Sequence, residues 1–187
     1  AALVTTTDQY GYSDPWHYDS AGYIDLGKQF AVAVHGLRAG PPTMAADPDP
    51  LRFQTEIDAF ARADATNDPT EHPMLYVGSS SIRYWSTESD FPGCGAINRG
   101  FGGSHISDVL HYYPDTVAAY GPRAIVFYAG DNDIAAGKSA ARVFADFKTF
   151  VETVRRDQPD VPIFFIAIKP SGSRWHLWKT MEKTNGS

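Results

Sequence analysis

Ala124-Ile125-Val126-Phe127-Tyr128-Ala129 is apolar throughout, and it stops at the turn-forming run Gly130-Asp131-Asn132-Asp133. A strand with one wet face alternates apolar and polar residues. A short unbroken apolar run closed by turn residues suits a strand covered on both faces, as in a parallel sheet, although periodicity alone does not exclude a buried helix. Pro162 to Ile168 reads the same way, and Leu3 to Thr7, Met74 to Gly78 and Ala96 to Asn98 supply three shorter candidates. Helical patterns lie between them. Ser139 to Arg156 places Val143, Phe144, Phe147, Phe150, Val151 and Val154 on a broad apolar face with basic residues in its last turn. Ser20 to Gly36, Leu51 to Ala63, Ile106 to Tyr113, Asp115 to Tyr120 and Ser173 to Lys183 also read as helices. Strands alternating with helices predict an α/β domain: a parallel sheet with helices on both faces.

Composition bounds the partners. The chain has 187 residues, enough for one domain with a substantial core, with 43% hydrophobic and 20% charged residues. A formal charge of −6 and the lack of a basic stripe argue against nucleic acid. The single cysteine, Cys94, excludes an internal disulfide and a multi-cysteine metal site. No apolar run approaches the roughly 20 residues of a membrane helix. The start at Ala1, without methionine or a signal-like segment, predicts a processed chain or an expressed fragment. Compartment stays open between cytoplasmic and exported. Arg38 to Pro50, with Pro41, Pro42, Pro48 and Pro50 and no apolar periodicity, reads as a linker.

Four segments carry candidate chemistry. Gly78-Ser79-Ser80-Ser81 follows a predicted strand, where open α/β sheets place ligands, yet small hydroxyl residues also cap helices. Asn98-Arg99-Gly100-Phe101-Gly102-Gly103-Ser104 is either a permissive turn or a place where a backbone N–H approaches an oxyanion closely. Gly130-Asp131-Asn132-Asp133 is either a turn or the source of a side-chain amide donor. In Asp14-Pro15-Trp16-His17 a carboxylate lies three residues before an imidazole, a spacing that can bring both to one side of a turn. Such a carboxylate would fix the tautomer, leaving Nε2 to take a serine proton. His35, His72, His105, His111 and His176 lack so clear a partner, with His105 notable for sitting beside the glycine turn.

Together these segments resemble the SGNH (GDSL-like) hydrolase family, whose blocks are a Gly-Asp-Ser-like nucleophile motif, a glycine turn, Gly-x-Asn-Asp and Asp-x-x-His. The resemblance implies a three-layer α/β/α sandwich with about five parallel strands in flavodoxin-like order. It implies Ser80 as nucleophile, with Ser79 standing where the family often has aspartate. The N–H groups of Ser80 and Gly103 with the Asn132 side chain would form the oxyanion hole, His17 would be the general base and Asp14 its orienting partner. No metal or organic cofactor is implied. Expected activity is hydrolysis of short-chain acyl esters, above all acetyl esters on carbohydrates, through an acyl-enzyme. The alternatives are a noncatalytic carbohydrate-binding domain, or a thioesterase or lysophospholipase on the same machinery. Trp85, Phe101, Tyr128, Trp175 and Trp178, with Lys169-Pro170-Ser171, are candidates for pocket walls, although aromatics are more often core.

Block order departs from the family. Asp-x-x-His normally closes such a domain; here it comes first, and residues 1–37 are similar to the family's last strand, base loop and closing helix, notably in carbohydrate acetyl-esterases. A circularly permuted single domain over 1–187 follows, with 38–50 joining the old ends across up to about 40 Å and 51–187 supplying the other blocks. The rival is the tail of an upstream domain fused to a truncated second one, completing the site within the chain or by exchange into a homodimer.

Overall fold

The computed structural model describes residues 45–67 and 69–186 in full and the backbone of 12–14 and 17–18. Its strands are β1 (Tyr12–Asp14), β2 (His17–Tyr18), β3 (Met74–Gly78), β4 (Ala96–Gly100), β5 (Ala124–Tyr128) and β6 (Ile163–Phe165). Its α-helices are α1 (Gln54–Asn67), α2 (Ser80–Arg83), α3 (Thr87–Asp90), α4 (Ile106–His111), α5 (Tyr113–Thr116), α6 (Asp131–Ala135), α7 (Ala140–Asp157) and α8 (Trp178–Asn185). The predicted strand Leu3 to Thr7 and helix Ser20 to Gly36 lie outside the described residues.

β3 to β6 form one parallel sheet in the order β4-β3-β5-β6. The chain leaves β3 for β4 on one side, then returns across β3 to β5 on the other. This reversal opens a crevice at the carboxyl ends of β3 and β5, the place where open α/β sheets bind ligands. The alternation of side chains divides the core between the two faces. Leu75, Val77, Ile125 and Phe127 pack with Phe53 from the segment before α1 and with Ile57, Ile106, Val109, Val143, Phe150, Val154 and Met181 from α1, α4, α7 and α8. Tyr76 and Tyr128 face the other way, against Ile82 of α2 and the ring cluster of Trp85 and Phe91. The parallel α/β fold expected from the sequence is present, with four strands in this sheet.

α7 begins where its sequence predicts. Ser139 accepts from the Arg142 N–H as N-cap, and the apolar face brings the Phe150 ring 4.5 Å from that of Phe127. β6 is shorter than the predicted Pro162 to Ile168 and is not covered on both faces: Phe164 is 56% exposed. With β4, it is one of the two outer strands of the described parallel sheet. Its continuation leaves the ladder because Asn185 takes over the Ile168 backbone, accepting from its N–H at 2.9 Å and donating to its carbonyl at 3.0 Å. The predicted helix Asp115 to Tyr120 is instead α5 and a 3-10 turn (Ala118–Tyr120), broken where Val117 leaves helical geometry at φ −129°. The predicted helix Ser173 to Lys183 opens as a 3-10 segment (Gly172–Leu177) before α8.

The linker reading of 38–50 needs correction at its far end. Asp49 caps the 3-10 turn Pro50–Phe53 through the Leu51 N–H at 2.9 Å. Asp47 reaches Lys138 and Arg142, at 2.7 and 2.6 Å. Charge pairing docks this segment where apolar periodicity gave no sign of it.

Candidate active site

Three parallel strands end side by side in register, Gly100 beside Gly78 and Gly78 beside Tyr128. Each is followed by one of the candidate blocks, so Ser80, Gly103 and Asn132 come from three neighbouring strand ends. Ser80 opens α2, Gly103 lies in the turn after β4 at φ +85°, and Asn132 lies in the first turn of α6.

The three adjacent serines are not equivalent. Ser79 is fully buried; its N–H donates to the Tyr128 carbonyl at 2.8 Å and its hydroxyl to Asp131 Oδ1 at 3.4 Å. Ser80 and Ser81 are half-buried. The Ser80 hydroxyl is hydrogen-bonded to no described side chain, and the N–H groups of Ser80 and Gly103 have no acceptor among the described residues. Among the described residues, two backbone donors and one hydroxyl are therefore unengaged at the carboxyl ends of these strands.

Asn132 is held from both ends of its amide. Nδ2 donates to the Ser104 carbonyl at 3.0 Å, while Oδ1 accepts from the Arg174 guanidinium at 2.9 Å. Arg174 also donates to Asp131 Oδ2 at 2.6 Å. Asp131 and Arg174 did not stand out in the sequence as site residues. Asp131 lay inside a block already singled out, but Arg174 comes from the segment after β6, and nothing in its local sequence signals the contact.

Beneath the site runs a buried ionic network. Lys138 Nζ bonds Asp133 Oδ1 at 2.7 Å, Asp146 at 3.1 Å and Asp47 at 2.7 Å, and Asp133 also accepts from the Ile106 N–H. Burial alone would pull the Lys138 ammonium down, but the three carboxylates outweigh it and hold its pKa above the ordinary value. For Asp47, burial is overcome by Lys138 and Arg142, which keep its carboxyl below the usual range. His105, at the start of α4, has its Nδ1 3.8 Å from Asp133 Oδ1 and no hydrogen-bond partner there. Burial pushes its imidazole down.

Of the remaining candidates, Asp14 and His17 are register partners in the antiparallel pair β1 and β2; their side chains lie outside the described residues. Among the described histidines none is hydrogen-bonded to Ser80. His72 meets the Gly121 carbonyl at 2.9 Å, and His111 packs edge-on against Tyr112. Phe101 and Tyr128 are core residues rather than pocket walls, both essentially inaccessible to solvent. Trp85 lines an open pocket of about 800 Å³ with Arg83, Phe60 and Asn98, and Trp175 stacks on Trp178 while staying 60% exposed. Among the described residues no three His, Cys, Asp or Glu side chains form a metal-sized cluster, and no helix is long and apolar enough to cross a membrane.

A model of the GDSL-like lipase/acylhydrolase family matches residues 87–185, a span that holds the glycine turn and the Asn132 block and begins after Ser80. No curated protein matches the chain. The fold is similar to that of a protein provisionally named as a platelet activating factor from Streptococcus pneumonia, with a TM-score of 0.59 and 22% identity over 77% of this chain. It is also similar to a GDSL-like lipase from Bacteroides thetaiotaomicron VPI-5482, with a TM-score of 0.58 and 20% identity over 74% of this chain. This chain spans 64% of the length of the first of these and 70% of the second.

Proposed function

Because this chain belongs to the GDSL-like lipase/acylhydrolase family, we propose that it is a serine esterase that cleaves short-chain acyl esters, acetyl esters in particular, through an acyl-enzyme on Ser80. The observation that carries this reading is the meeting of Ser80, Gly103 and Asn132 at three adjacent strand ends, with Ser79 buried and engaged by Asp131. Exposure and the lack of a competing hydrogen bond favour Ser80 as nucleophile over Ser79.

In this reading His17 Nε2 takes the Ser80 proton as Oγ attacks the ester carbonyl. The N–H groups of Ser80 and Gly103 and the Asn132 amide stabilise the tetrahedral oxyanion, the alcohol leaves with the proton from His17, and water repeats the sequence to release the acid. Asp14, the backbone register partner of His17, fixes its tautomer. One feature supports a base from outside the residues described in full. No histidine with a described side chain is hydrogen-bonded to Ser80; His72 meets the Gly121 carbonyl and His105 lies near Asp133.

The test is hydrolysis of p-nitrophenyl acetate by the wild type, Ser80→Ala and His17→Ala. Loss in both variants is the expected result; equal turnover in all three overturns the reading. A domain that binds acetylated sugars with no turnover even as wild type would instead be a noncatalytic relative, and acyl chains of increasing length separate an acetylesterase from a thioesterase or lysophospholipase.

A further inference from the structure

We propose that Arg174 is a positioning residue that orients the Asn132 amide for the oxyanion, an inference that rests on the esterase reading above. A side-chain amide can sit in two orientations that differ by exchange of oxygen and nitrogen, and only one offers an N–H to an anion. Here both ends are assigned by partners with no choice of role. The guanidinium only donates, so the atom 2.9 Å from it is the amide oxygen; the Ser104 carbonyl only accepts, so the atom 3.0 Å from it is the nitrogen. The nitrogen carries two hydrogens. One is engaged by Ser104, and the other has no acceptor among the described residues.

Arg174 is itself anchored. Its second nitrogen donates to Asp131 Oδ2 at 2.6 Å, and the other oxygen of that carboxylate accepts from the buried Ser79 hydroxyl. The backbone of the 3-10 segment holds it from behind, through the Arg174 N–H to the Ser171 carbonyl at 2.9 Å. One side chain thus ties the nucleophile turn, the Asn132 block and the segment after β6 together. Its charge on the amide oxygen also polarises the N–H that would meet the oxyanion, and hydrogen bonds to charged groups are the stronger kind. A lysine presents a single point charge and lacks the planar fork needed to hold Asp131 and Asn132 at once.

A conventional structural brace and a positioning residue differ in kinetics. Arg174→Ala and the better-tolerated Arg174→Lys should each lower kcat for p-nitrophenyl acetate about tenfold or more with KM nearly unchanged, since the lost interaction acts on the transition state. Millimolar guanidinium should restore part of the Arg174→Ala rate. The Asn132→Ala/Arg174→Ala double variant should be no slower than Asn132→Ala alone, because Arg174 acts through Asn132. The proposal is overturned if Ser80→Ala abolishes turnover and Asn132→Ala lowers kcat while both Arg174 variants keep the wild-type kcat, or if the Asn132 and Arg174 losses multiply. Should the wild type and Ser80→Ala turn over alike, the esterase reading fails by itself. The positioning claim is then read from the Asn132 side-chain amide signals in a nitrogen-15 NMR spectrum. They should shift and broaden in Arg174→Lys, and unchanged signals overturn it.

Discussion

Gly78 and Tyr128 end neighbouring strands so closely that a Cβ on Gly78 would overlap the Tyr128 carbonyl, the same carbonyl that accepts the Ser79 N–H. Gly78 also sits at φ +137°, where a side chain is strained. The turn that presents Ser80 is thus formed only where the backbone can press against β5. Gly78→Ala should cost about 1–3 kcal/mol through backbone strain alone, and relief of the overlap would push the serine turn away from the strand. A lowered Tm together with a loss of ester turnover is the expected pair of results. Unchanged turnover would show that the position of Ser80 does not matter to the reaction.

Asn132 offers the sharpest test of the oxyanion assignment. Removing one preorganised donor from such a site typically costs on the order of 100-fold or more in turnover. Asn132→Ala should therefore fall by about that factor in kcat, with KM little changed, because the donor matters most when charge develops on the carbonyl oxygen. Steady-state kinetics decide it. A rise in KM at constant kcat would place Asn132 in ground-state binding instead.

The sequence made the strand ends readable and left their connections dark. β3 and β5 are visible because each is a short apolar run closed by a turn, while β4 shows only Ala96 and Ile97 before Asn98 and Arg99; the Ser80, Gly103 and Asn132 blocks follow these strands. α2, α3 and α6 span four or five residues each, too few to show a 3.6-residue period. β6 is shorter than its apolar run, because Ile168 at the end of that run pairs with Asn185, a partner farther along the chain. Asp47 gives no local sign of its docking for the same reason: what holds it is Lys138 and Arg142, and ion pairs between distant residues leave no local pattern. Arg174 belongs with these, since its contacts to Asp131 and Asn132 are made across the top of the sheet.

Lys138 and Asp133 form an ion pair 2.7 Å long with both side chains fully buried. Taking away one member of such a pair leaves a buried charge without compensation, at a typical cost of about 3–5 kcal/mol. Lys138→Met strands Asp133 and weakens the hold on Asp47 and Asp146, so urea unfolding should show a loss of that size. Asp47→Asn should cost far less, as that carboxylate is 40% exposed and screened by water. Equal costs for the two variants would mean the network does not centre on the Lys138–Asp133 pair.

His105 supplies a pH dependence with a definite sign. Burial lowers its pKa below the ordinary histidine value of 6.5, with Asp133 and Asp108 opposing and Lys138 and Arg52 assisting. Between the lowered folded value and 6.5 the unfolded chain binds more protons, so stability falls as pH drops through that window. Above it the imidazole is neutral in both states and contributes no slope. Buried Asp108 acts in the opposite sense, since burial raises its pKa and its own stability contribution falls as pH rises above 3.8. Comparing chemical denaturation of the wild type and His105→Asn isolates the histidine. The variant should lose part of the decline just below pH 6.5, and identical slopes would show that His105 titrates alike in both states.

Whether His17 serves its own chain or a neighbour is decided by mixing two inactive proteins. Ser80→Ala and His17→Ala each lack one half of the proposed dyad. If the base is supplied within the chain, every site in the mixture keeps its defect and no turnover returns. If residues 12–18 exchange between subunits, unfolding and refolding an equal mixture makes half the dimers mixed. Each mixed dimer has one site with both groups intact and one with neither, so activity should return to about a quarter of the wild type. Recovery near a quarter together with a dimeric mass in light scattering would assign the exchanged form. A monomeric wild type with full turnover and no recovery on mixing would assign the permuted single domain.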